Sequence, residues 1–321
     1  MTRDGRHRTD LTPGGELRDN FHAYWSPDGR YVSWTSLDWN SSDGGDGRSE
    51  VRVARFDPSG PRLTDVHTVR PGNGHWYETQ WWAPDGSGFL YTETVDTAIN
   101  PELFFCRLPD PAGGACRPQR LTRNPAWDEQ AIFTPDMKSI VFMSSRGHPG
   151  AFTDWSQLAN ILRLPAYDDY LLILPVFAES YLQPVFQQAT DLYALRLRWN
   201  ESHTRFRVSR AVRRLTRSGD RGWVIPEFAW DPSGKRLLWT ESQLAGRVDE
   251  LCVLRQIRGE ILRRLADVHT IDQLPLDIVS QIRGQIAQVI GDPQAFAEIC
   301  GGNPRAPRLT ARRTRIGRFV G

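Results

Sequence analysis

The sequence predicts an all-β protein, a β-propeller of four-stranded blades, on three observations. A turn-bearing hairpin occurs four times, a Leu-Thr pair recurs with it, and a third strand-like run lies between the two. The hairpin is "WSPDGRYVSWTS" from Trp25, "WAPDGSGFLYTET" from Trp82, "FTPDMKSIVFMSS" from Phe133 and "WDPSGKRLLWTES" from Trp230. Each copy places an aromatic residue two positions before a proline, then a turn, then a strand ending in small hydroxylated or acidic residues. Pro27, Pro84, Pro135 and Pro232 pre-set φ for a type I turn, and Gly29, Gly86 and Gly234 accept positive φ. Met137 departs from the glycine rule. The four aromatic residues hold one place in the repeat, so burial between neighbouring blades is expected for all of them.

The Leu-Thr pairs stand at Leu11-Thr12, Leu63-Thr64, Leu121-Thr122, Leu215-Thr216 and Leu309-Thr310 and read as the ends of outer strands. Third strands are expected at "EVRVARF" from Glu50, "ELFFCRL" from Glu102, "DLYALRL" from Asp191 and "ELCVLRQ" from Glu250. Four strands per unit, repeated, are what propeller blades require.

Leu-Thr, a spacer, an aromatic residue, Pro-Asp-Gly and an apolar strand together resemble the repeat of TolB-type propellers, relatives of the WD-repeat propellers. The resemblance spans roughly residues 9–310 apart from two insertions. It implies a fold, and several functions: protein docking, substrate gating in prolyl-oligopeptidase-like enzymes, or a lyase scaffold. TolB-type propellers carry six blades, so four recognisable copies lead to the expectation of a truncated or incomplete propeller, with an inner strand at Ile316 to Val320.

Prolines 27, 84 and 135 are spaced by 57 and 51 residues, but Pro135 to Pro232 spans 97. One third strand and one Leu-Thr fall in that interval, so the reading is an insertion at about 147–190 rather than a fifth blade. Its prolines, aromatic residues and acids Asp168, Asp169 and Glu179 fit either a lid or docking loop or a hydrophobic cluster propping the blade. A second insertion, about 255–302, carries Ile257, Ile261, Leu265 and Val268, then Ile278, Ile282, Ile286 and Val289, at helical spacing on either side of Pro275. It reads as a helical hairpin inside a single propeller domain spanning 1–321.

Composition narrows the partners. The chain has 40 Lys plus Arg against 38 Asp plus Glu, a formal charge of +2, so no global field recruits nucleic acid or an anionic membrane. The arginines of "RAPRLTARRTRIGRFVG" lack interleaved aromatic residues for base stacking, save Phe319, and fit a solvated strand edge. The longest apolar stretch, Tyr170 to Ala178, is interrupted by Pro175 and is short of the ~18 residues of a membrane span. Met1 to Asp10 holds no apolar export segment. Partners are therefore expected to be proteins or peptides, with neither nucleic acid nor a membrane span.

Aligning the blades on proline places His22, Thr79, Gln130 and Glu227 five residues upstream, and Phe21, Glu78, Glu129 and Pro226 six upstream. These positions begin the innermost strands, which in the resembled fold border the mouth of the axial channel. His22, Glu78, Asp128, Glu129, Gln130 and Glu227 are thus the candidate binding residues, suited to a basic peptide group or, through oxygen-rich coordination, a divalent cation. The alternative is a wet channel lined by solvated polar groups. No cofactor is called for, and no catalytic residue is assigned. There is no G-x-S-x-G, H-E-x-x-H or H-x-H pattern, and too little chain follows Thr310 for an α/β-hydrolase domain. "LDWNSSDGGDG" from Leu37 is out of register for a calcium loop. The reading that results is a non-catalytic binding or scaffolding module. A lyase- or hydrolase-type enzyme using His22 or His75 beside the axial carboxylates is the alternative.

Cys106 and Cys116 flank the loop "RLPDPAGGA", whose prolines and Gly113-Gly114 turn the chain between antiparallel neighbours, so a disulfide is expected there. TolB-like proteins work outside the cytoplasm, and the bridge agrees with a periplasmic or secreted location. Two independent thiols in a cytoplasmic protein are the alternative.

Overall fold

The computed structural model describes residues 9–12, 18–38, 49–72, 75–95, 100–148, 189–202, 205–245 and 308–318. Sixteen strands form four antiparallel sheets of four strands each, and no α-helix occurs among the described residues. Blade 1 is β1 (Arg18–Trp25), β2 (Tyr31–Asp38), β3 (Ser49–Asp57) and β4 (Arg62–Arg70), paired in chain order. Blade 2 follows with β5 (Tyr77–Trp82), β6 (Gly88–Glu93), β7 (Glu102–Arg107) and β8 (Arg117–Arg120). Blade 3 contains β9 (Asp128–Phe133), β10 (Ser139–Ser144), β11 (Asp191–Trp199) and β12 (Phe206–Arg214). In blade 4 the inner strand is broken into β13 (Trp223–Val224) and β14 (Phe228–Trp230), both paired with β15 (Arg236–Ala245), whose other edge pairs with β16 (Arg308–Arg318).

The four turns share one hydrogen-bond pattern. The residue before each proline accepts the N–H three positions on, from Gly29, Gly86, Met137 and Gly234, at 2.8–2.9 Å. That fourth residue has positive φ in every copy, +55° at Met137, so the third turn keeps its shape without glycine. Asp28 and Asp136 fix the turns by accepting from the N–H groups of Arg30 and Lys138, each at 3.0 Å.

The aromatic residues before the turns of blades 2, 3 and 4 pack on the preceding blade. The Trp82 indole donates to Ser33 Oγ at 2.9 Å and to the Tyr24 carbonyl at 3.1 Å. Phe133 meets Phe105 edge-on at 5.6 Å, and the Trp230 indole donates to the Phe133 carbonyl at 2.8 Å. Trp82 and Phe133 are 5% and 2% exposed, whereas Trp25 is 48% exposed and covers only Phe56 of its own blade. Burial of all four therefore fails at Trp25, against which no other blade packs among the described residues, and Trp230 is only partly buried. Polar bonds tie the same interfaces: Thr35 Oγ1 to Thr79 Oγ1 at 2.9 Å, and Thr190 Oγ1 accepting the Ile225 N–H at 2.7 Å. This is the stacking of consecutive propeller blades.

Leu-Thr has two structural meanings. At Thr122 and Thr216, just past β8 and β12, the hydroxyl accepts the N–H of Leu103 or Leu192 at 2.9 Å and closes the corner of the blade. Leu63-Thr64 and Leu309-Thr310 instead lie near the starts of β4 and β16, so they do not end outer strands. Leu11-Thr12 belongs to no strand. β16 fills the third position of blade 4, which overturns the inner strand expected at Ile316 to Val320: a ten-position register with β15 from Arg318 to Arg308 holds it there. The third strand expected from Glu250 and the helical hairpin at 255–302 lie outside the described residues.

β10 pairs directly with β11, so residues 149–188 connect adjacent strands of one blade. Residues 246–307 likewise connect β15 and β16. Both connections leave from the end of the blade at which the inner strands begin.

Candidate functional site

Three inner strands carry a β-bulge. Two residues oppose one at His22–Ala23 facing Trp34, at Gln80–Trp81 facing Leu90, and at Gln130–Ala131 facing Phe142. His22 and Gln130 take φ of 51° and 50°, a left-handed conformation uncommon for such residues. A bulge re-aims the side chains beside it, and here His22 of blade 1, Glu78 of blade 2 and Glu129 of blade 3 come together.

His22 Nδ1 lies 3.4 Å from Glu78 Oε2, and both atoms are buried without a hydrogen-bond partner. Glu78 Oε1 accepts from the Trp76 indole at 2.7 Å, and Glu129 Oε2 accepts from the Trp127 indole at 2.5 Å. Trp76 also stacks on Phe21, with ring centroids 5.7 Å apart. Glu78 and Glu129 are within hydrogen-bonding reach of each other, a contact that forms only when one of them is protonated. Burial, then the charge of Glu78 and that contact, push the Glu129 carboxyl well above the ordinary carboxylate range; Trp127 and His22 oppose the shift. The Tyr24 phenol is pushed up by burial and by the charges of Glu227, Glu129 and Glu78, so all three carboxylates act on one point.

Other sequence candidates have different places. Asp128, next to Glu129, is buried on the opposite face of β9, where it accepts from Arg146 at 2.6 Å, Ser144 Oγ at 2.5 Å and Asn124 at 2.7 Å. It closes its own blade, because alternate residues of a strand face opposite ways. Gln130 is half-buried at the bulge and Glu227 is exposed at the rim. Tyr24, Trp76 and Trp127 were not singled out from the sequence. For the tryptophans the signal was present: Trp-x-Glu occurs at 76–78 and again at 127–129, the 51-residue offset of Pro84 and Pro135.

His75 belongs to a separate group, with its Nδ1 3.0 Å from Glu93, which also pairs with Arg70 at 2.9 Å. His148, Asp191 and Asp220 lie close enough together for a metal, but the Arg214 guanidinium bonds both carboxylates, each at 2.5 Å, and supplies the positive charge itself. Cys106 and Cys116 have Cα atoms 5.2 Å apart with their sulfur atoms joined.

No family model and no curated protein matches this sequence. Among solved structures, a TolB-type protein from Agrobacterium tumefaciens is 15% identical over 71% of this chain and 71% of its own, with a TM-score of 0.36. A puromycin-hydrolyzing peptidase from Mycobacterium tuberculosis is 12% identical over 73% of this chain and 27% of its own, with a TM-score of 0.40. Prolyl endopeptidases give 9% identity over 70% and 25%, with a TM-score of 0.38. The chain spans about a quarter of the length of the peptidases it matches. These likenesses are low, and the chemistry of the cluster stands on its own geometry.

Proposed function

We propose that the protein is a non-catalytic binding module whose Glu78–Glu129–Glu227 cluster receives a cationic group of a protein or peptide partner. The observation that carries this reading is the Glu78–Glu129 contact: two carboxyl groups from neighbouring blades are held together, with Glu78 Oε2 lacking a donor. An ammonium or guanidinium supplies the missing donors and removes the repulsion. Phe21, Trp76 and Trp127 beside the carboxylates favour a cation further through their ring faces.

A second reading rests on the same groups. A carboxylic acid raised well above its ordinary range beside a second carboxyl group and a histidine is an arrangement of the kind used for acid–base chemistry by lyases and hydrolases. A divalent cation held by the three carboxylates is its metal-dependent form. Calorimetric titration with an arginine-bearing hexapeptide and its citrulline counterpart tests the binding reading. Binding of the first, at least tenfold weaker for citrulline and for Glu78→Gln, supports it; equal binding of the two peptides overturns it. Chromatography of the recovered peptide separates the readings, since cleavage that disappears in Glu129→Gln establishes the enzyme. Metal content of the purified protein, compared with Glu129→Ala and His22→Ala, tests the cation.

A further inference from the structure

The opposite end of the same blades holds a cleft of about 780 Å³, within the usual size range of small-ligand pockets. Its walls come from the turns of blades 1 and 2, the β7–β8 connection and the start of β12, with Trp82, Leu108 and Phe206 as apolar surface. Charge around it is lopsided: Arg30, Arg107, Arg117 and Arg205 against Asp28 and Asp85. Asp28 is already bonded to Arg30 at 2.6 Å, and Asp85 caps the Ser87 N–H at 2.9 Å. Arg107, Arg117 and Arg205 have no carboxylate partner among the described residues.

Three details make the imbalance costly. Arg107 and Arg117 stand directly opposite each other in the β7–β8 register, a placement in which like charges destabilise a sheet. The Arg107 guanidinium lies over the Phe105 ring at 5.3 Å, with its Nη2 buried and unbonded, and Ser87 Oγ is likewise buried without a partner. Burial pulls the Arg107 guanidinium below its ordinary range, and the charge of Arg205 adds to this while Asp85 opposes it. Unused donors and uncompensated positive charge around a small apolar cleft call for an acceptor-rich anion.

We infer that this cleft binds a small organic anion, its oxyanion held by Arg107, Arg205 and Ser87 and its apolar or aromatic body against Trp82, Leu108 and Phe206. Carboxylate and phosphate share this chemistry, since the guanidinium fork bonds either one. Titration calorimetry with benzoate, phenyl phosphate and neutral benzyl alcohol tests it and separates the two anions. Saturable 1:1 binding of benzoate or phenyl phosphate is expected, at least tenfold tighter than benzyl alcohol. Arg205→Ala and Arg107→Gln should each weaken it at least fivefold, and Arg210→Ala, an exposed arginine of β12, should leave it unchanged. Arg205 is exposed, so its variant decides the matter if Arg107→Gln does not fold. Absence of binding by both anions, or binding by Arg205→Ala equal to that of the parent, overturns the inference.

Discussion

Two glutamates in contact inside a folded chain repel each other unless one keeps its proton. Glu129 is the one that keeps it, being the more deeply buried. A carboxyl raised in the folded state binds more protons folded than unfolded, so its contribution to stability is complete below about pH 4.5 and is lost as pH rises through the higher folded value. The parent protein should therefore lose thermal stability relative to Glu129→Gln as pH goes from 5 to 8, because glutamine copies the neutral acid. Melting temperatures of the two proteins across that range check this; a constant difference contradicts it. The proximity of His22, Glu78 and Glu129 was legible in the sequence because proline anchors each hairpin and counts back to two adjacent positions. Asp128 was misread because that count does not say which way a strand residue faces. Tyr24 left no sequence signal, since a bulge in the strand carrying it decides what surrounds it.

The hairpin and the corner are the elements that make blades of this sequence. Trp82→Ala removes a buried indole and two bonds to blade 1, and should cost about 3–5 kcal/mol. Trp25→Ala, at the same sequence position but exposed, should cost under about 1 kcal/mol. Urea unfolding of the two variants compares them, and equal losses would contradict the blade order. At the corner of blade 3, Asp191 accepts from the Ser218 N–H at 2.6 Å, from Thr216 Oγ1 at 2.7 Å and from Arg214. Asp191→Ala strands the Ser218 N–H and the Thr216 hydroxyl, leaves Arg214 with Asp220 alone, and should cost about 2–3 kcal/mol by the same measurement. Repetition made the hairpins readable in advance. The position of β16 was not readable, because pairing across residues 246–307 is a long-range contact that no local pattern encodes.

Across the described residues, the carboxylate cluster proposed to receive a cation and the cleft proposed to take an anion lie at opposite ends of the same blades, and the two long connections leave from the carboxylate end. The bond between Cys106 and Cys116 closes the loop that walls the cleft, and a closure this short stabilises by about 2–3 kcal/mol. Thiol titration of denatured, unreduced protein after oxidative expression should find no more than two reactive thiols. Four would remove the bridge, and with it the argument for a location outside the cytoplasm.

If the carboxylate cluster receives a cation, the ionisation of Glu129 reports on it directly. Carbon-detected NMR titration of the glutamate side-chain carboxyls, assigned with Glu129→Gln, measures it with and without the arginine-bearing hexapeptide. Glu129 should titrate well above 4.5 in the free protein and fall on binding, with release of a proton, because a guanidinium stabilises the charged pair. A Glu129 that titrates at or below 4.5, or one whose titration the peptide leaves in place, would contradict the account.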